Sequence, residues 1–233
     1  MKALILCGGT GSRLRPITHT RAKQLLPVAN KPIVCYGIES IVRAGINEIG
    51  IITGETGKEI REKLGDGTQF NAHFTYIPQD APLGIAHAVK TARDFLQNKD
   101  FIVYLGDNLI KHEVEDLLKQ YQAQEMDALI QIKEVDDPTQ FGVAELDDNQ
   151  RVIRLEEKPK EPKSNYAVVG VYIFNAKIHD QIDQLQPSGR GEFEITHAIQ
   201  GLLDSNANVG SNLLTGWWLD TGKKNDLLEA NCV

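Results

Sequence analysis

Short apolar runs rich in β-branched residues alternate with helix-periodic segments through the first half of the chain, and this alternation is the strongest constraint on its fold. Ala3-Leu4-Ile5-Leu6-Cys7 reads as a buried strand starting at residue 2, and Glu48 to Thr53 as another strand. Lys58 to Leu64 then reads as a helix, His73 to Ile77 as a strand, and Ile85 to Leu96 as a helix. Phe101 to Leu105 (strand), Glu113 to Gln122 (helix) and Asp127 to Ile132 (strand) continue the series. Strands separated by helices need crossover connections, so the pattern predicts βαβ units and a mostly parallel sheet with helices on both faces. Ligands of such sheets bind beyond the carboxyl ends of the strands.

The second half changes character. Phe141 to Leu146, Val152 to Leu155 and Val168 to Phe174 are strand-like, and helices are expected near Ala176 to Gln184 and Glu194 to Leu203. Lys158-Pro159-Lys160-Glu161-Pro162-Lys163 is a charged, proline-punctuated loop. This region is expected to extend the same sheet and wall one side of a cleft. With no repeat, low-complexity segment or interdomain linker, residues 1–233 are expected to form a single domain.

The net charge of −7 argues against a nucleic-acid coat, so an anionic ligand must be held by local basic residues against an acidic background. Cys7, Cys35 and Cys232 are far apart, show no metal-ligand spacing and suit a reducing, cytoplasmic location. The first apolar run is too short for a signal peptide, and no stretch approaches the ~20 apolar residues that cross a membrane.

Directly after the first apolar run comes Gly8-Gly9-Thr10-Gly11-Ser12-Arg13-Leu14-Arg15-Pro16. Glycines let main-chain N–H groups approach anionic oxygens, and Arg13 and Arg15 add forked donors suited to phosphate. A dinucleotide fingerprint fails because Leu14 stands where its third glycine belongs, and a P-loop fails because no Gly-Lys-Ser/Thr ends the loop. A structural βα turn and a nucleotide-phosphate site both fit; the arginines and Lys23 favour the second. Gly106-Asp107-Asn108 follows a strand and could hold Mg²⁺ or simply turn the chain, and the same holds for Trp217-Trp218-Leu219-Asp220-Thr221-Gly222. Cys7, Tyr172 and Trp218 read as core or cleft wall, and His73, His87, His112, His179 and His197 share no motif.

Taken together, these segments resemble the nucleoside-triphosphate:sugar-1-phosphate nucleotidyltransferases. The resemblance also runs through Lys23-Gln24-Leu25-Leu26-Pro27 with Lys31-Pro32, Gln79-Asp80-Ala81-Pro82-Leu83-Gly84-Ile85-Ala86 and Phe141-Gly142-Val143. It continues through Glu157-Lys158-Pro159 and Gly191-Glu192-Phe193-Glu194-Ile195-Thr196, and so covers nearly the whole chain in order. The resemblance implies a Rossmann-like α/β fold, a mostly parallel sheet flanked by helices, with a small sugar-binding β extension. It implies transfer of a nucleotidyl group from dTTP to glucose-1-phosphate, giving dTDP-glucose and pyrophosphate with Mg²⁺.

By the same resemblance, Gly8, Gly9, Gly11 and Arg13 would hold the triphosphate, while Gln24 and Gln79 would bind the pyrimidine with Gly84 beside it. Asp107 and Asp220 would carry the metal, Asp107 also lying against the nucleotide. Gly142, Glu157 and Val169 would line the sugar pocket. Lys158 would clamp the sugar phosphate and Lys23 the reacting phosphates, so Arg13, Lys23 and Lys158 would be the catalytic cations. No protein nucleophile is required: the sugar phosphate attacks the α-phosphorus in line, and the protein positions and neutralises two polyanions.

Family members are longer, some with additional helices and others with a left-handed β-helix. This chain is expected to be an excised catalytic domain or a minimal enzyme, and a homo-oligomer remains open. Two other functions compete: a transferase for UTP or another triphosphate or hexose, and a non-catalytic sugar-nucleotide-binding regulator. The presence of Arg13, Asp107, Lys158 and Asp220 favours an enzyme.

Overall fold

A computed structural model describes residues 1–9, 11, 14–16, 18, 21–111, 114–221 and 230. Its strands are β1 (Lys2–Cys7), β2 (Pro27–Val28), β3 (Lys31–Pro32), β4 (Glu48–Thr53), β5 (His73–Pro78), β6 (Phe101–Leu105) and β7 (Asn108–Ile110). They continue with β8 (Ala128–Glu134), β9 (Gly142–Leu146), β10 (Val152–Glu157), β11 (Tyr166–Phe174), β12 (Val209–Leu213) and β13 (Trp218–Asp220). The helices are α1 (Ile33–Arg43), α2 (Gly57–Leu64), α3 (Ile85–Thr91), α4 (Arg93–Leu96), α5 (Val114–Ala123), α6 (Lys177–Gln184) and α7 (Ile195–Asp204).

Among the described residues a nine-stranded mixed sheet runs β10-β9-β11-β6-β1-β4-β5, with β8 and then β12 branching from β11. The β6-β1-β4-β5 half is parallel, as the alternation predicts. The extension joins it through antiparallel β11, which pairs with β6 and β9. After β1 the chain winds outward through β4 and β5, then returns to the other side of β1 as β6. The order therefore switches between β1 and β6, where parallel sheets open a crevice at their carboxyl ends.

Strand alternation sorts the core onto two faces. Leu4 and Val103 pack with Ala86, Val89, Ile178, Ile195 and Ile199 from α3, α6 and α7. Ala3, Ile5 and Ile102 pack on the other face with Val34, Ile38, Ile60, Leu64, Leu117 and Tyr121 from α1, α2 and α5. Burial of each leucine, isoleucine and valine among them contributes roughly 1.5–3 kcal/mol before conformational entropy is set against it. No helix among the described residues is long and apolar enough to cross a membrane.

Helix α1 lies outside the alternation read from the sequence. Its mid-helix Gly37 and β-branched neighbours lower helix propensity, but Gly37 is where the Tyr104 ring rests: a Cβ there would lie 2.6 Å from Tyr104 Cε1. Tertiary packing overrides local preference. The expected Ile85–Leu96 helix is divided at Ala92 into α3 and α4.

His179 on α6 is buried, with its ring stacked on Phe101 at 5.6 Å, and among the described residues neither ring nitrogen has a partner at hydrogen-bond geometry, the Gln97 backbone acting on it only weakly. Burial, then the Arg93 guanidinium, lowers its pKa, against weaker opposing effects from Asp183, Asp180 and the Gln97 backbone. A lowered folded-state pKa means that the unfolded chain binds the proton more tightly, so this side chain's contribution to stability is lost as pH falls below about 6.5. Urea titrations at pH 7.5 and 5.5 should show a smaller acid loss for His179→Leu than for the wild type; equal losses would contradict the assignment.

Candidate active site

The carboxyl ends of β1, β5 and β6 meet at one side of a cleft of about 380 Å³, and β10, β11 and the segment before α7 close the other side. Gly8 and Gly9 form its floor immediately after β1. A Cβ on Gly9 would lie 2.9 Å from Lys23 Cε, and one on Gly8 3.1 Å from Gln79 Oε1, so side chains there would displace cleft residues. Gly11, at φ +64°, turns the loop and does not line the cleft; its carbonyl accepts from the Thr18 hydroxyl at 2.6 Å. Arg13 lies outside the described residues.

Lys23 sits on a single 3₁₀ turn and forms an ion pair with Asp107, which follows β6. Burial alone would lower the pKa of the Lys23 ammonium, but Asp107, and behind it Asp220, hold it above its ordinary value. Asp220 does not end a strand of the main sheet. It ends β13, which pairs antiparallel with β7 so that Asp220 stands opposite Asn108. Thr221 then donates its hydroxyl to the Asp107 carbonyl at 2.7 Å. This separate two-stranded ribbon brings both aspartates to the same lysine. Cys7 is fully buried beneath them, and burial followed by the Asp107 charge pushes its thiol far up, which suits a core residue.

Gln24 and Gln79 both line the cleft, together with Gly84. Gln24 is 1% exposed, and its Oε1 has no partner among the described residues. Gly84 adopts φ +96°, with its Cα tight against Phe193: a Cβ would lie 2.6 Å from the Phe193 carbonyl oxygen.

On the far wall, Gly142 pairs with Glu157 across β9 and β10, and a Cβ on it would come within 2.6 Å of Thr196 Cγ2. Thr196 donates to Glu157 Oε2 at 3.1 Å. Lys158, at φ +45°, lines the cleft beside Glu157. Val169 corrects an expectation: it is fully buried, and Val168 and Tyr172 line the cleft in its place. The register of β11 against β8 shifts between Val168 and Tyr172, so simple alternation cannot tell which valine faces the cleft.

Arg190 and Glu194 escaped the sequence reading. Arg190 Nη2 lies 2.9 Å and 3.0 Å from the two Glu194 carboxylate oxygens and 3.3 Å from Glu157 Oε1. Their segment was visible as part of a motif, but nothing local showed that Arg190 would bridge two buried carboxylates. Burial, then Glu194, raises the pKa of the Glu157 carboxyl, and Arg190 opposes that rise.

The nucleotidyl transferase family model matches residues 2–233, and the chain belongs to that family. It is 52% identical to glucose-1-phosphate thymidylyltransferase of Streptomyces griseus, over 99% of this chain and 65% of that protein. The chain thus spans about two-thirds of the length of such relatives. A crystal structure from Bacillus anthracis assigned to glucose-1-phosphate thymidylyltransferase, in complex with sucrose, superposes with a TM-score of 0.92 at 39% identity. It covers all of this chain and 94% of that one. UDP-glucose pyrophosphorylase complexed with UDP-glucose superposes at 0.90 and 25% identity, covering 99% and 97% of the two chains.

Arg190→Met should leave Glu157 and Glu194 as neighbouring, partly buried carboxylates held only by the Thr196 and Ser188 hydroxyls and, for Glu157, by Lys158 at 4.0 Å. The expected cost at pH 7.5 is about 2 kcal/mol, allowing for partial exposure of the arginine. Without the guanidinium the Glu157 carboxyl pKa would rise further, so the folded variant takes up a proton and the deficit shrinks toward pH 5. Unfolding titrations at the two pH values check this, and a pH-independent deficit would contradict it.

Proposed function

We propose that the chain is a single catalytic domain that transfers a nucleotidyl group from dTTP to glucose-1-phosphate, releasing pyrophosphate, and acts in the cytoplasm. One observation carries this reading: a Gly-Gly floor, Lys23 paired with Asp107, two glutamine amides and a Glu-Lys pair face a single cleft, with Asp220 near enough to act on Lys23. Relatives named for this reaction lend it further support.

In this reading Gly8 and Gly9 receive the triphosphate, Gly11 shapes their loop from outside the cleft, Arg13 adds charge to it, and Lys23 neutralises its reacting phosphates. Gln24 and Gln79 take the base, with Gly84 keeping the wall close. Glu157 accepts from sugar hydroxyls beside Gly142, and Lys158 holds the sugar phosphate. Holding two polyanions together is the chief electrostatic cost of the reaction, and these cations lower it where charge develops. Val168 and Tyr172 take the wall position first expected of Val169.

The donor set also fits Mg²⁺. Asp107 and Asp220 both act on Lys23, and no group of three or more His, Cys, Asp or Glu side chains suited to metal occurs among the described residues. Mg²⁺ is typically held by one or two carboxylates plus substrate phosphate oxygens, rather than by an all-protein cage. When bound, it would supply charge neutralisation at the phosphates. Turnover should therefore stop on chelation and return with added Mg²⁺. Asp107→Asn and Asp220→Asn should each lower kcat roughly a hundredfold, and Asp107→Asn, which leaves the buried Lys23 ammonium without its partner, should also lower the melting temperature. Full activity in Asp107→Asn would exclude the metal role.

The substrate assignment is tested by pyrophosphate release across a panel of triphosphates and sugar-1-phosphates. The expected order is dTTP, then UTP, with ATP and GTP poor. The margin over UTP should be modest, because one methyl group is worth only ~1–3 kcal/mol. A purine triphosphate giving the highest kcat/KM would overturn the assignment.

A further inference from the structure

His87 shares no sequence motif with the other cleft residues, yet it touches the side chain proposed to read the base. Gln79 follows β5, and its main-chain N–H donates to the Thr53 carbonyl at 2.8 Å. Its Nε2 lies 3.3 Å from the Gly84 carbonyl oxygen and 2.9 Å from His87 Nδ1. A carbonyl oxygen can only accept, so the amide nitrogen, not the amide oxygen, must face this side. The second amide hydrogen then points at His87 Nδ1. That nitrogen must offer a lone pair, so the ring proton sits on Nε2.

Both Gln79 donors are therefore used inside the protein. Its Oε1 faces the opposite way, 3.1 Å from where a Cβ on Gly8 would lie, on the cleft floor. A glutamine could in principle offer the base both a donor and an acceptor; here only the acceptor remains. The imidazole is itself braced, stacked on Phe193 at 6.1 Å and 25°. Phe193 is tied to the Gly84 turn by its N–H to Leu83 O at 2.8 Å and by Ala86 N–H to its own carbonyl at 3.2 Å.

We infer that His87 is a positioning residue that fixes the Gln79 amide with its oxygen toward the cleft, selecting a base that carries an N3 proton over one whose N3 is an acceptor. The inference rests on the proposed role of Gln79 at the base. Thymine and uracil donate from N3, whereas cytosine accepts there. Without His87, only the long bond to Gly84 would oppose rotation of the amide. Turned over, Gln79 would offer its NH₂ to cytosine.

The test is the ratio of kcat/KM for UTP over CTP, and for dTTP over dCTP, in the wild type, His87→Leu and His87→Gln. His87→Leu should lower both ratios about fivefold, the worth of one net hydrogen bond, with the change in the nucleotide KM and none in the sugar-1-phosphate KM. His87→Gln should restore them, because its amide oxygen can accept from Gln79 Nε2. If His87→Leu does not fold, His87→Ala replaces it with the same expectation. Unchanged ratios in the leucine or alanine variant, or an equal loss in His87→Gln, would overturn the inference while leaving the Gln79 reading intact. A wild type without preference for thymine or uracil over cytosine would overturn both.

Discussion

The ion pair between Lys23 and Asp107 is the interaction on which the cleft depends. It ties the 3₁₀ turn that packs against the Gly8-Gly9 floor after β1 to the end of β6, the two strands between which the sheet order switches. Side-chain exposure is only 18% for the lysine and 10% for the aspartate, so desolvation works against both charges. A pair in such a place is weak evidence for stability. Its value lies in geometry: it holds a cation and a carboxylate at the carboxyl ends of the strands before any phosphate arrives. The Gly106 N–H to Leu6 O bond at 3.0 Å and the Thr221 contacts to the Asp107 carbonyl fix the backbone around it.

A second charged cluster, Arg190 with Glu157 and Glu194, faces the first across the cleft. The two differ in chemical logic. At the first, one lysine feels two carboxylates; at the second, one arginine spans two carboxylates that would otherwise repel. Within the second cluster Arg190 favours the carboxylate form of Glu157 against burial and the Glu194 charge, and Thr196 fixes the direction of its Oε2. A glutamate that is to accept from sugar hydroxyls needs both conditions, since a protonated or rotated carboxyl presents a different donor and acceptor pattern.

What the sequence made legible was what local chemistry determines. A buried apolar run ending in Gly8-Gly9, a strand ending in Asp107 and a strand ending before Gln79 all place a residue at a strand's carboxyl end without reference to distant contacts. Helix α1 was hidden because Gly37 makes sense only against Tyr104. The route by which Asp220 reaches Asp107 was hidden because β13 and β7 are short and pair across more than a hundred residues. Val168 and Val169 could not be told apart because a register shift breaks the period of two. His87 and Arg190 were missed for a common reason: each acts through a neighbour that only the fold supplies.

These features also fit the proposed site for polyanions on an acidic chain. The net charge is −7, and the cleft itself is lined by Asp107, Glu157, Glu192 and Glu194 beside Lys23, Lys158 and Arg190. Without substrate the cations are balanced by carboxylates rather than left as an unpaired positive patch. An incoming phosphate competes with a carboxylate for a lysine or arginine that is already desolvated and oriented, so it need not order or dehydrate that side chain afresh. The same competition makes binding selective, because a ligand must supply enough negative charge to displace the resident carboxylate. Neutral sugars and nucleosides lack that charge, and a cleft of this kind therefore discriminates for phosphate before it discriminates for base or sugar.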